Sequence, residues 1–393
     1  MPVSVSSLIP ASVRDSAAAV VAADPLPVDL VAALALVVDP RARRGVRHAC
    51  SMVLALGVCA VVAGAQTFTA ISEWAADLTP TVRARLNVGR RVPCESTIRR
   101  VLQRVDPDLL DRIVSAWLAA RAAGGRTAAP RAVATRPVIA VDGKTARGSR
   151  HHDLPGVHLL AAFDTGTGVV LGQARVDIKS NEITAFGPLL DRVDITSVIV
   201  TADALHTQRG HADYLIGRGA HYLLTVKANQ PSLLAQLRRL PWPQVPVANQ
   251  TSGKGHGRLE SRTVKITAVA AGIGFPHAQL AIQVIRRRRR PASRTWQSET
   301  VYALTDLAWD QTTPAELADA LRAHWGIENR LHWVRDTVFA EDLSQVRTGH
   351  GPQVMATLRN LAVSLHRLTG ATSIAAATRH LSRHPNRVLR LLG

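Results

Sequence analysis

Between Asp39 and about Ala123, apolar residues recur at intervals of three and four, as in Ile71, Trp74, Ala75 and Leu78 and again in Ile98, Val101, Leu102 and Val105. That period lines one side of an α-helix, so residues 39–122 are expected to form an all-helical domain. The run Met52 to Gln66 is apolar almost throughout, but it is shorter than the roughly 20 residues a bilayer span needs, and Gly57 and Gly64 interrupt it. It predicts a buried helix. Residues 1–38, rich in Ala and Val with several prolines, read as a variable lead-in ending in one helix. Residues 123–136 cluster Gly and Pro without a sustained period and read as a linker.

From residue 137 the pattern changes to short β-branched runs. Val138 to Val141 predicts a first strand, and Val157 to Phe163 with Val169 to Val176 predict two more around the turn Asp164-Thr-Gly-Thr-Gly168. Glu182 to Val193 carries Ile183, Phe186, Leu189 and Leu190 on one helical face, with Ser180 or Asn181 as N-cap. Val198 to Thr201 and His221 to Val226 are strands on either side of a helix over about 210–217. Asp142 closes the first run and Asp203 follows the fourth. Three strands, helix, strand, helix, strand is the ribonuclease H-like order, in which the first and fourth strands are neighbours; it would set Asp142 beside Asp203. Residues from about 231 to 306 are strand-rich again, with Arg262 to Ala268, Gln279 to Ile285 and Glu299 to Leu304 as strands of a β-rich insertion. Helices resume over Thr313 to Ala323, Trp325 to Val334 and Val354 to Leu368. The expected fold class is α/β, a ribonuclease H-like catalytic core over 137–393 with a β-rich insertion, preceded by an all-helical N-terminal domain.

Charge narrows the function. Forty-eight Lys and Arg against 29 Asp and Glu leave a net charge of +19, while 47% of residues are hydrophobic. An apolar share that high excludes a disordered basic tail and points to a folded protein with a strong positive field. Nucleic acid is the expected partner, because no basic amphipathic helix favours a membrane. Asp15, Asp24, Pro25 and Pro27 interrupt what would be a secretory signal, so a cytoplasmic, nucleoid-associated chain is expected. Cys50, Cys59 and Cys94 include no C-x-x-C pair, which argues against a disulfide framework and a thiolate zinc site.

Asp142, Asp203 and Glu328, the last within His324-Trp-Gly-Ile-Glu328-Asn-Arg-Leu-His-Trp333, are carboxylates from three separate elements. Such a set can hold two Mg²⁺ ions, with Mn²⁺ as substitute, for phosphoryl transfer. Asp336, Glu341 and Asp342 are alternatives to Glu328 as third ligand. Helical spacing puts His324, Glu328, His332 and Arg335 on one face, with Asp336 close to it. The two histidines flank Glu328 without the H-E-x-x-H pattern, which speaks against zinc. Trp325 and Trp333 are expected to pack in the core, stacking on an unpaired base being the alternative. Arg286, Arg287, Arg288, Arg289 and Arg290 follow a strand and precede Pro291, so they predict a hairpin tip that contacts phosphate without reading sequence. Arg41, Arg43, Arg44 and Arg47 form a second basic cluster. The helix from Ser96 to Val105 exposes Thr97, Arg99, Arg100, Gln103 and Arg104 opposite its apolar face and is the candidate for reading sequence.

Several segments carry a resemblance. Ala140-Val-Asp-Gly-Lys-Thr-Ala-Arg-Gly-Ser149, Thr225-Val-Lys-Ala-Asn-Gln230, Gly255-His-Gly-Arg-Leu-Glu-Ser-Arg262, the stretch from Arg322 to Trp333 and Phe339-Ala-Glu-Asp342 resemble the signatures of DDE-superfamily transposases, most closely the ISAs1 family related to the IS4 group. Asp39 to His48 and Pro93 to Arg100 resemble the helical domain associated with these enzymes. The resemblance implies a triad of Asp142, Asp203 and Glu328 that binds Mg²⁺, cuts double-stranded DNA at the terminal inverted repeats of a transposon and joins the freed 3′ hydroxyl to target DNA. A homo-oligomer assembled on DNA is expected. Lys144, Lys227, Arg258 and Arg335 would then offset phosphate charge. One departure stands out: where the IS4 group carries a tyrosine, an arginine, the glutamate and a lysine, this chain has Leu321, His324, Glu328 and Arg335, so only the last keeps a cation. Two other readings stay open, a stand-alone ribonuclease H-like nuclease and a remnant or repurposed DNA-binding protein. Inverted repeats flanking the coding sequence would favour the transposase over both.

Overall fold

Among the described residues of the N-terminal region the chain forms six helices: α1 (Leu30–Leu34), α2 (Cys50–Val62), α3 (Phe68–Ala76), α4 (Pro80–Arg85), α5 (Glu95–Leu102) and α6 (Pro107–Gly125). The structure, a computed structural model, describes residues 29–392 apart from 43, 45, 126–134, 152, 153, 256, 270, 271, 292 and 294. Most of the lead-in, Arg43 and most of the linker therefore lie outside the described residues. Thr67 and Thr79 cap α3 and α4 with their hydroxyls. Helix α2 is buried from Met52 to Val62, as its unbroken apolar run demands. No helix among the described residues is long and apolar enough to cross a membrane.

Nine strands follow among the described residues: β1 (Val138–Ala146), β2 (Val157–Asp164), β3 (Val169–Val176), β4 (Ile199–Ala202), β5 (His221–Val226), β6 (Val247–Gly255), β7 (Arg258–Ala268), β8 (Leu280–Arg289) and β9 (Gln297–Thr305). All lie in one sheet of order β3-β2-β1-β4-β5-β9-β8-β7-β6. The fold is thus mixed α/β with one large sheet. Strand β4 runs parallel to both β1 and β5, and the remaining neighbours are antiparallel. The strand-rich stretch after residue 231 is continuous with the rest, because β9 pairs with β5, Leu304 opposite Leu224. Strand β6 was not foreseen: its Asn-Gln-Thr-Ser-Gly-Lys run lacks an apolar alternation. Strand β1 continues to Ala146, so Asp142 sits inside it and does not close it.

Helices α7 (Glu182–Leu190, capped by Asn181), α8 (Arg209–Gly217) and α9 (Pro231–Arg238) share one core with Ile139 and Val141 of β1. Ala140, pointing the other way, joins the core of α13 (Gly351–Leu368) and the N-terminal helices. Between them in sequence come α10 (Pro314–Ala323), α11 (Trp325–Ile327), a π-helical turn over Glu328–His332 and α12 (Trp333–Thr337). Helix α13 is buried along most of its length and contacts α2, α6 and β3. Gly57 in α2 faces it, and a Cβ there would stand in ordinary contact, 3.4 Å from Leu358. The N-terminal helices consequently share one core with the sheet-bearing part. At the sheet edge Asp111 of α6 accepts a hydrogen bond from the Gln173 amide at 2.8 Å, which covers part of β3.

Candidate active site

Parallel pairing of β1 with β4 places Val141 opposite Ala202, so the next residues, Asp142 and Asp203, stand side by side on neighbouring strands. Both line a cavity of about 220 Å³ that also receives Lys227, Arg286, His324 and Glu328. Asp203 is further fixed as the cap of a short 3-10 turn, accepting from the Leu205 amide. Asn229 donates to the Ala204 carbonyl at 2.6 Å and Gln230 to the Thr207 carbonyl at 2.9 Å, so the Thr225 to Gln230 segment holds the Asp203 loop in place.

The third acid comes from the π turn. In a regular α-helix Arg335, seven residues on, would share the face of Glu328; five residues wound at the wider π pitch carry it about a quarter turn away. Arg335 is 0% exposed and donates to Glu341 and to Asn360. It cannot meet DNA phosphate, which corrects its expected role. His332 stays with Glu328. Its Nδ1 is 3.5 Å from Asp142 Oδ2 and 3.6 Å from Glu328 Oε2, yet both ring nitrogens are buried without a hydrogen-bond partner. One ligand atom each from Asp142, Glu328 and His332 lie within 4.8 Å of one another.

Burial and the adjacent Glu328 carboxylate push Asp142 up to about 8. The His332 ring holds Glu328 down at about 2 against the effect of burial. His332 and His324 are both pushed down by burial, His324 to about 4, so both imidazoles are neutral at pH 7, the form that ligates metals. The alternatives to Glu328 are engaged elsewhere: Asp336 with Lys144 at 2.7 Å, Asp342 with Lys144 at 3.8 Å, and Glu341 with Arg335 and Arg359. Glu328 has no Lys or Arg partner among the described residues. Two carboxylates crowded around an unpartnered neutral imidazole make a site that a divalent cation would complete.

Comparison with known proteins gives the family. The family model described as "Transposase DDE domain" matches residues 134–365, and one described as "DDE_Tnp_1-associated" matches residues 31–118. The chain belongs to the DDE transposases. YncI of Escherichia coli O157:H7 is 29% identical over 348 residues, covering 85% of this chain and 86% of that protein. The H repeat-associated protein YhhI of Escherichia coli K12 is 29% identical over 346 residues, covering 84% of this chain and 88% of that protein. Both names class their bearers provisionally as transposases. Among solved structures, the piggyBac transposase synaptic complex with hairpin DNA aligns over 89% of this chain and 75% of that one, at 11% identity and a TM-score of 0.39. Membership of the DDE transposases implies use of a divalent metal.

Around the acids of this transposase, several expected contacts are rearranged. Lys144 is held by Asp336 and Asp342, so its charge is already offset within the protein. Arg286 to Arg289 lie within β8, which places them in the sheet and leaves only Arg290 at the turn. The hairpin-tip expectation is corrected accordingly, because the ladder with β7 and β9 continues through Arg286, Arg287 and Arg288. Arg258 pairs with Glu260 at 2.8 Å and Arg99 with Glu95 at 3.0 Å. Arg100 opens on a separate cleft of about 720 Å³ that it shares with Arg47, Arg90 and Arg91. Arg41 borders the same cleft but is tied to Asp39. Trp325 and Trp333 are 55% and 60% exposed, against the expectation of core packing.

Sequence reasoning missed two parts of the site. Helical spacing sets His332 on the face of Glu328 and offers it only as half of an unsuitable zinc pair, not as a ligand beside the acids. Glu182 was seen only as the start of a helix, yet it bridges His158 at 2.6 Å and His206 at 3.0 Å behind the sheet. Burial opposes its ionisation, but the two histidines outweigh it and hold the carboxyl at about 2. His206 lies three residues after Asp203, and a Cβ on Gly143 would fall 2.2 Å from Glu182 Oε1. Glu182 therefore braces both acid-bearing segments from the opposite face. The one sequence signal was the glycine directly after Asp142.

Proposed function

We propose that this DDE transposase is of the ISAs1 type, with a ribonuclease H-like core in which Asp142, Asp203 and Glu328 hold two Mg²⁺ ions. It cuts DNA at the ends of its element and joins the freed 3′ hydroxyl to target DNA. The observation that carries the reading is the β1–β4 register, which sets Asp142 and Asp203 side by side facing Glu328 across one cavity. When bound, divalent ions would supply positive charge to the reacting phosphate and make a bound hydroxyl more acidic. Asp142 and Glu328 provide hard oxygen donors, and His332 adds a neutral nitrogen beside them. Lys227 and Arg286 on the cavity wall balance the charge of an entering phosphodiester. His324 is bonded to Thr201 at 3.2 Å and neutral, so it positions and does not attract. Trp325 and Trp333, exposed on either side of Glu328, offer faces for an unstacked base.

The test uses the full chain and a plasmid bearing the ends of the element. Asp142→Asn, Asp203→Asn and Glu328→Gln should each reduce Mg²⁺-dependent cutting and joining to background while DNA binding persists. Asp336→Ala should still cut. Cutting by all three acid variants would overturn the triad, and a dead Asp336→Ala with an active Glu328→Gln would move the third ligand.

A further inference from the structure

Beside the acid cavity, β7 and β8 bring Arg262 and Arg286 directly opposite each other. Like charges at paired positions of an antiparallel ladder repel. The carboxylates nearby are shared with other arginines: Glu299, opposite Arg286 in β9, pairs with Arg288 at 3.2 Å, and Glu260, which offsets part of the charge on Arg262, pairs with Arg258 at 2.8 Å. Arg286 keeps a buried Nε without a partner. Arg322 of α10 closes the group, its Nη2 reaching Thr251 of β6 at 3.0 Å. Burial, and then the facing Arg286 and Arg322, push Arg262 below the ordinary arginine value. All three arginines line a groove of about 390 Å³ that shares Arg286 and Trp325 with the acid cavity.

Guanidinium forks match the paired oxygens of a phosphate, and an anion among three of them would remove their mutual repulsion. We propose that Arg262, Arg286 and Arg322 form a phosphate-binding subsite that holds a backbone phosphodiester of the DNA strand entering the acid cavity, next to the bond that is cut. The proposal rests on the transposase reading above and adds to it where the strand runs. Trp325, on the wall common to both spaces, would face the base between the held phosphate and the reacting one.

The experiment titrates the full chain without divalent metal against a labelled single strand and a random duplex over a range of salt. Arg262→Gln and Arg322→Gln should each weaken binding about tenfold and reduce the salt slope by roughly 0.7 to 0.9, the value of one phosphate contact. In the absence of DNA neither variant should melt lower than the parent, since each removes a repulsion. An unchanged slope in both variants overturns the subsite. So does a lowered melting temperature with an unchanged slope, which would make the arginines packing residues. If inorganic phosphate stabilises the parent but not the variants while the slope stays the same, the site takes free phosphate and the DNA proposal falls. Cutting by the parent in Mg²⁺, measured alongside, separates the two readings: a parent that cuts with variants of unchanged slope loses the subsite alone. A parent that never cuts, with variants of reduced slope, loses the transposase chemistry and keeps the subsite.

Discussion

Two glutamates thirteen residues apart, Glu328 and Glu341, sit in clusters of opposite character. Glu341 is 1% exposed and receives Arg335 Nη2 at 2.7 Å, Arg335 Nε at 3.0 Å and Arg359 Nη1 at 3.1 Å. Burial alone would raise its pKa, but the two guanidiniums outweigh it and hold the carboxyl at about 2. Arg335 passes the network on to Asn360 at 3.2 Å and Asn360 to Gln173 at 2.9 Å, so the chain of bonds closes on β3. Around Glu328 the charges are left open. Asp142 has for company another carboxylate and an unpartnered neutral imidazole, and it is pushed up to about 8 by burial first and Glu328 second. The buried cluster at Glu341 is complete and joins elements together; the other is buried at Asp142 and His332 but open to solvent at Glu328, where a ligand can reach it.

The comparison breaks most visibly at Glu341. Its replacement by Ala would leave two buried guanidiniums without a counter-charge, and a loss of about 3–5 kcal/mol in chemical denaturation is expected. An unchanged midpoint would mean the network contributes nothing. Asp142→Asn should act in the other direction, stabilising the metal-free protein by on the order of 1 kcal/mol while abolishing cutting. A destabilisation as large as that of Glu341→Ala would make the acid pair a joint like the other. His332→Ala should weaken Mn²⁺ binding, measured calorimetrically, by about tenfold or more. Equal affinity would return His332 to the role of a packed core residue.

The smallest effect is the pH dependence, and it sharpens the contrast. Glu341 has a folded pKa below its ordinary 4.5, so its contribution is complete above about 4.5 and is lost as the pH falls towards 2. Asp142 has a folded pKa raised from 3.8 to about 8, so it lowers stability progressively as the pH rises between those values. Melting curves in a chelator should therefore decline on both sides, and saturating Mg²⁺ should flatten the decline towards pH 8 without changing the acid limb. An alkaline decline that persists in Mg²⁺ would show that the cation does not bind at Asp142.

The pairing of β1 with β4 was legible in the sequence because strand order and β-branched runs suffice to bring Asp142 to Asp203. A cap at Ser180 or Asn181 was legible as a local signal that needs no partner, and the structure settles it on Asn181. What escaped depends on long-range packing. The π turn at Glu328–His332 leaves no mark in a pattern of threes and fours, so Arg335 was assigned to the face it would occupy in a regular helix. Trp325 and Trp333 have a spacing that fits a buried stripe, but both are exposed, and Trp325 borders the cavity and the basic groove in place of a packing partner. The arginines of β8 were taken for a turn because charge is rare inside a strand, and only the pairing with β7 and β9 shows how the sheet carries them.

The shared core of α2, α6 and α13 has a consequence for the timing of synthesis. The apolar face of α2 emerges from the ribosome roughly 290 residues before α13 is made, an interval of on the order of 15–60 s at ordinary rates of elongation. Through that interval Leu54, Leu56 and their neighbours lack the helix that covers them in the finished protein. The N-terminal third is thus made first and completed last, and a chain released before Gly351 would carry an open apolar face in place of a working enzyme.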